Sequence, residues 1–217
     1  MKPSQYFSAA CVLSLHVFAN AAPVSTSGWD LVARDIKITP QQIETIAPKS
    51  KSCENAPSPE ECATSEQAAT NIAQSFETYK VTSPAEQAAV IALMAFESMD
   101  FEYNKNHFPG VPGQGTRNMQ SPEFNAKYAA SIPALADKLQ AASGDPAKVL
   151  NVLLSDEKYD FGSGAWFLTS QCSKEVRSNL QSGSEAGWKD YISSCVGTDA
   201  NDERKAYWTR AVKALGV

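Results

Sequence analysis

Residues 89–96 restrict the possible folds more than any other stretch. Ile91, Leu93, Met94, Ala95 and Phe96 make a near-continuous apolar row. Ser83-Pro84 ahead of it is a helix start, with serine as cap and proline at the first helical position. A helix this apolar has to be buried. The row ends on Glu97, and a loop rich in Gly, Pro and Asn runs on to Pro122. An interior helix therefore delivers a carboxylate to the edge of a polar loop.

The rest of the chain reads as helix around that segment. Thr64-Ser65-Glu66-Gln67 carries a cap followed by first-turn Glu/Gln, and Ala68, Ala69, Ile72, Phe76 and Tyr79 then recur at helical spacing. A short helix fits within 40–50, and longer ones fit 122–128, 132–141, 146–154, 164–172, 184–194 and 202–215. Asp145-Pro146 and Asp199 to Asp202 carry the same start chemistry. No run alternates apolar with polar, and no repeat is present. The expected fold class is mainly α, a single domain of about seven helices.

The first residues read as a secretory leader over 1–21. Lys2 supplies the positive start, the apolar run 7–18 is too short to span a bilayer, and Ala19-Asn20-Ala21 is a small-x-small cleavage pattern. Residues 22–50 read as an arm or pro-segment, and 51–217 as the helical domain. A protein exported in this way is expected to be extracellular. Of the five cysteines, Cys11 leaves with the leader. An even set in an exported chain implies two disulfides. Three pairings exist. The local one, Cys53–Cys62 and Cys172–Cys195, closes short to moderate loops between helical segments and is preferred. No C-x-x-C knuckle occurs and His107 is the one histidine after the leader, so neither metal nor cofactor is expected.

The net charge is −5 at pH 7, and loss of Lys2 with the leader makes it −6. An acidic chain without a basic stripe is a poor partner for nucleic acid or an anionic membrane. The composition favours a monomer that binds a neutral polymer through hydrogen bonds and stacking.

A carboxyl set against apolar walls holds its proton more tightly, as a general acid requires. Glu97, one helical turn from Leu93 and Met94, meets that condition and is the candidate acid. Asp100 is a candidate second carboxylate for activating water, whereas Glu102 reads as a solvated loop residue. Trp166 is either a stacking platform or a core aromatic beside a disulfide, and Phe167 reads as core. Gly162 and Gly164 let the backbone approach a neighbour or a ligand. His107 reads as a loop residue at a cleft rim. Ser98 has no nucleophile elbow around it, and Gly113 and Gly115 lack the Lys-Ser/Thr ending of a P-loop.

The pattern "ALMAFES…GTRNMQSP" resembles the soluble lytic transglycosylase and goose-type lysozyme superfamily on Glu97, Ser98, Gly115, Met119 and Gln120. The longer string "YNKNHFPGVPGQGTRNMQSP" is also similar to an uncharacterised family of secreted fungal proteins. The first resemblance implies a lysozyme-like helical domain with Glu97 as general acid/base. It further implies a cleft in which Ser98, Tyr103, Asn104, Asn118, Met119 and Gln120 meet substrate, with Trp166 as a further candidate contact. Met99 departs from the glycine that usually follows Glu-Ser, Asn118 from the usual leucine, and the loop is longer through residues 107–110. The resemblance covers about a sixth of the chain. Taken together, these readings lead to the expectation of a secreted glycoside hydrolase or lytic enzyme, muramidase- or chitinase-like, acting on peptidoglycan or a chitin-like cell-wall polysaccharide. The alternative is a non-catalytic secreted glycan-binding or effector protein that keeps the cleft.

Overall fold

The computed structural model describes residues 37–217. The expected leader and arm residues 22–36 lie outside the described residues. Ten α-helices follow one another: α1 (Pro40–Ile46), α2 (Ser65–Tyr79), α3 (Pro84–Glu97), α4 (Pro122–Ala130), α5 (Ala136–Ala142), α6 (Pro146–Leu153), α7 (Glu157–Gln171), α8 (Lys174–Gln181), α9 (Glu185–Asp190) and α10 (Asp202–Leu215). Single 3₁₀ turns follow α1 and precede α5, and a π turn over Tyr191–Val196 extends α9. No strand forms among the described residues. The mainly helical class is as expected, with ten helices in place of about seven. Both local disulfides, Cys53–Cys62 and Cys172–Cys195, are formed.

The start signals act where the sequence puts them. Thr64 caps α2 with a reciprocal box to Gln67, and the Asp145 carboxylate accepts from the first amides of α6; at α3 Ser83 holds the cap position ahead of Pro84, but its side chain makes no capping hydrogen bond. Two helices differ from expectation. α8 has no counterpart in the sequence reading. α7 starts seven residues earlier than read and includes Gly162 and Gly164, the pair expected to let the backbone approach a neighbour. In the structure both are contact points inside the helix. A Cβ on Gly162 would collide with the Tyr128 hydroxyl, and one on Gly164 would lie 2.9 Å from Met94 Sδ. Missing side chains let α7 sit tightly on its neighbours, which outweighs glycine's poor helix propensity.

α3 is the central element. Every residue from Ala85 to Ala95 is buried, and α10, α8, α7 and α1 pack around it. Fully burying a side chain such as Ile91 or Leu93 contributes about 1.5–3 kcal/mol, so one helix anchors a large share of the core. Residues 40–50, grouped with the arm in the sequence reading, pack here too. Ile43, Ile46 and Ala47 are fully buried, and Gln42 donates its side-chain amide to the Ala214 carbonyl of α10.

Two hydrophobic clusters result. The larger surrounds α3; the smaller joins Tyr128, Leu135, Val149, Leu153, Trp166 and Phe167. Tyr79, Cys172, Cys195 and Val196 touch both. The surface seam between the clusters, at the C-terminal end of α3, holds the candidate site.

Candidate functional site

α3 stops because the chain turns left-handed. Met99, Asp100 and Phe101 have φ of 51°, 63° and 70°, a run that non-glycine residues rarely adopt. The surroundings hold it in place. Ser98 Oγ donates to the Met94 carbonyl (2.6 Å) and accepts from Phe101 N–H (3.1 Å), and Asp100 N–H reaches the Ala95 carbonyl (2.7 Å). Phe101 is fully buried against Phe161 (5.5 Å between ring centres). The same turn pushes Met99 outward, leaving it half exposed.

The return of the loop is tied down by Arg117. Its Nε donates to Asp160 (2.9 Å), and its two terminal nitrogens donate to the Phe101, Tyr103 and Glu61 carbonyls (2.8, 3.1 and 2.6 Å). Asn104 Nδ2 reaches the same Asp160 oxygen (3.3 Å). Glu61, 4% exposed, accepts from the Asn104 and Lys105 amides and contacts His107 Nε2 at 3.0 Å. Lys105, Gly115 and Gln120 then pair through two isolated antiparallel bridges. The loop is thus a braced wall of the site.

Between that wall and α10 lies a groove of about 360 Å³. Glu97, Asn118, Met119 and Gln120 line it, joined by Gln114, Phe124, Phe167, Val196 and Arg204. Glu97 keeps 22% of its side chain exposed and accepts from Arg204 Nη2 (2.9 Å) and Nε (3.2 Å). Arg204 stacks at 4.5 Å over the Phe96 ring. The groove therefore has a hydrogen-bond acceptor beside a donor on one side and an apolar wall of Phe124, Phe167 and Val196 on the other. The Asn118 side chain makes no hydrogen bond within the protein, and its Oδ1, like Gln120 Oε1, is buried without a partner.

The other expected site residues are dispersed. Asp100 is buried away from the groove, accepting from Tyr207 Oη (2.6 Å) and Lys49 N–H (3.1 Å). Burial and that contact push the Tyr207 phenol up. Glu102 is not solvated but buried beside Lys49 Nζ (2.7 Å), and this bond raises the Lys49 ammonium. Gln120 donates its amide to Asn125 Oδ1 (2.8 Å), which turns that donor away from the groove. Ser98 is a backbone brace, and Asn104 points to Asp160. Tyr103 and His107 line a second hollow that shares Glu97, Gln114 and Met119 with the groove. Trp166 is 5% exposed, packed on Tyr128 at 5.0 Å, while its neighbour Phe167 reaches the groove. Arg204, Gln114, Phe124 and Val196 were missed. Arg204 sits 107 residues from Glu97 amid other charges, with no local signal of its partner.

No family model and no solved structure matches the chain. Among curated proteins, the chain is 48% identical over 157 residues to a bifunctional dioxygenase (DOX)-epoxy alcohol synthase (EAS) of Fusarium oxysporum (strain Fo5176). The match takes in 70% of this chain and 12% of the relative, so the chain spans about an eighth of that protein's length. This finding overturns the lysozyme-like and transglycosylase resemblance. The glycoside hydrolase, muramidase and chitinase expectation falls with it, as do its glycan-binding alternative and its cell-wall and carbohydrate associations. The Glu-Ser…Met-Gln spacing was too short a signal to carry a family.

Oxygen insertion calls for a group that activates O₂, commonly a metal held by imidazole or thiolate donors. The described residues do not fit one. His107 is their one histidine and its Nε2 is engaged by Glu61, all four cysteines are in disulfides, and no three His, Cys, Asp or Glu side chains gather among them.

Proposed function

We propose that this chain serves an oxygenation system of the kind named for its Fusarium relative, as the part that holds an oxygenated molecule and not the part that activates oxygen. The observation that carries this reading is the pairing across the groove of Glu97 and Arg204 with an apolar wall. An epoxy alcohol presents a hydroxyl donor, an epoxide acceptor and a hydrocarbon remainder. The Glu97 carboxylate suits the first, the Arg204 guanidinium the second, and Phe124, Phe167 and Val196 the third. A groove of a few hundred cubic ångströms in which polar groups converge beside an apolar wall is of the size of small-molecule sites. The relative's length supports a separable module, since the matched stretch is a small share of that protein.

Calorimetry with an alkyl-chain epoxy alcohol tests this, with the matching unoxygenated hydrocarbon alcohol as control. Binding of the epoxy alcohol is expected, weakened about tenfold or more by Glu97→Gln or Arg204→Gln, roughly 1.4 kcal/mol or above. An oxygen electrode supplies the second arm. Oxygen consumption by this chain alone, or no binding of the epoxy alcohol, ends the proposal.

Export belongs to the same proposal. Two disulfides suit an oxidising compartment, and the leader pattern supports cleavage after Ala21. Protein recovered from culture medium should begin at Ala22.

A further inference from the structure

We infer a second ligand site, separate from the groove, that takes a small planar aromatic molecule. It is a cavity of about 280 Å³ enclosed by α2, the end of α4 with the turn after it, and the first turn of α7. It shares no lining residue with the groove or its neighbouring hollow.

The chemistry of the walls selects the ligand. Tyr79 and Tyr159 supply two partly exposed rings, and the fully buried Tyr128 backs the wall, meeting Tyr79 edge-on at 6.4 Å. Ile132 and Pro133 supply an aliphatic face. The wall hydroxyls are mostly spent inside the protein. Tyr128 Oη donates to the Tyr159 carbonyl (3.0 Å), Ser131 Oγ to the Tyr128 carbonyl (2.6 Å), Thr78 Oγ1 to the Gln74 carbonyl (2.8 Å) and Ser75 Oγ to the Ile72 carbonyl (2.8 Å). These hydroxyls ask nothing of a guest and present carbon to it. Burial pushes the Tyr79 phenol up, which keeps that side chain neutral as well. Lys158 stands at the mouth, its charge balanced by Asp156 (2.8 Å) and its Nζ 4.7 Å from the Tyr159 ring centre. A pocket of rings and aliphatic carbon, with four of its hydroxyls satisfied and Gln74 and the Tyr79 and Tyr159 hydroxyls as its remaining polar points, rewards offset or edge-on contact with an aromatic guest.

The wall behind the cavity is anchored in the smaller hydrophobic cluster. The Tyr128 ring is fixed from behind by Trp166 at 5.0 Å, and its hydroxyl is seated over Gly162, where any side chain would displace it.

Indole is the probe, titrated into the intact protein and followed by NMR through the ring protons of Tyr79 and Tyr159. Saturable shifts at both rings are expected. Two blocking variants enter from opposite walls, Thr78→Trp on α2 and Ile132→Trp beyond α4, each placing an indole in the space. Either should weaken binding of added indole at least tenfold while the amide spectrum stays that of the folded protein. Cyclohexanol, similar in bulk but not planar, should bind at least fivefold more weakly. The inference is overturned if indole shifts neither ring, if both folded variants keep wild-type affinity, or if cyclohexanol binds as well as indole.

Discussion

Arg117 shows how much of the site rests on one side chain. It is 3% exposed and bridges Asp160 to three backbone carbonyls, two in the turn after α3 and one at Glu61. Burial pushes the Asp160 carboxyl up, and Arg117 and Asn104 pull it back only in part. Removing one partner of a buried pair strands the other charge and costs about 3–5 kcal/mol. Arg117→Met should lower stability by that order, measured as a urea midpoint, and the Arg117→Met/Asp160→Leu double variant should lose less than the two singles added. The pH dependence of Arg117→Met has a definite sign. A carboxyl whose folded value lies above its unfolded one binds its proton more tightly when folded, so the variant gains stability as pH falls through that range. A variant whose stability is flat with pH would show that Asp160 is not the stranded group. The sequence offered no hint of this arginine's role, although it stands two residues before Met119. Nothing local marks a cation whose partners lie 16, 43 and 56 positions away.

At the level of elements, α8, α9 and α10 meet through contacts that are easy to perturb one at a time. Gly187 lets α9 touch the Asn179 carbonyl of α8, where a Cβ would collide. Gly187→Ala is therefore expected to cost about 1–3 kcal/mol, although alanine is the better helix former. A neutral or stabilising result in thermal unfolding would contradict the close approach. Glu185 joins α9 to α10 through Lys205 (2.8 Å) and pairs with Lys189 within its own helix. These bonds hold its carboxyl down at about 2, against 4.5 ordinarily. The sign is opposite to that of Asp160: its contribution is complete above pH 4.5 and is lost as pH falls toward about 2. Glu185→Gln should narrow the stability difference between neutral and acid solution, and the two proteins should converge near pH 2. Helix starts in this chain were legible because a cap is local chemistry, as at Thr64, Asp145 and Asn201. The first turns of α7 were not, since Gly162 and Gly164 serve a contact made by other helices.

For the molecule as a whole, the sequence carried fold class and cysteine pairing better than it carried function. A mainly helical chain with two local disulfides follows from spacing and loop length, both readable in one dimension. The groove was half readable. Glu97, Asn118, Met119 and Gln120 fall within one loop's reach of each other, whereas Arg204 and Phe167 arrive through tertiary packing. The short motif misled because an acid at a helix end followed by a returning loop answers a local need that unrelated chains share. Cys172 and Cys195 fasten the end of α7 to the π turn, closing a separation of 23 residues. Cys172→Ala/Cys195→Ala should lose about 2–4 kcal/mol in denaturant unfolding, and an unchanged midpoint would mean that packing alone holds this junction.

The enclosure of α3 has a consequence for exchange with solvent. Its backbone hydrogens are wrapped by four other helices, so deuterium reaches them only when those helices part together. Amides of residues 88–95 should be the last to exchange, at a rate that reports the opening free energy of the entire folded body.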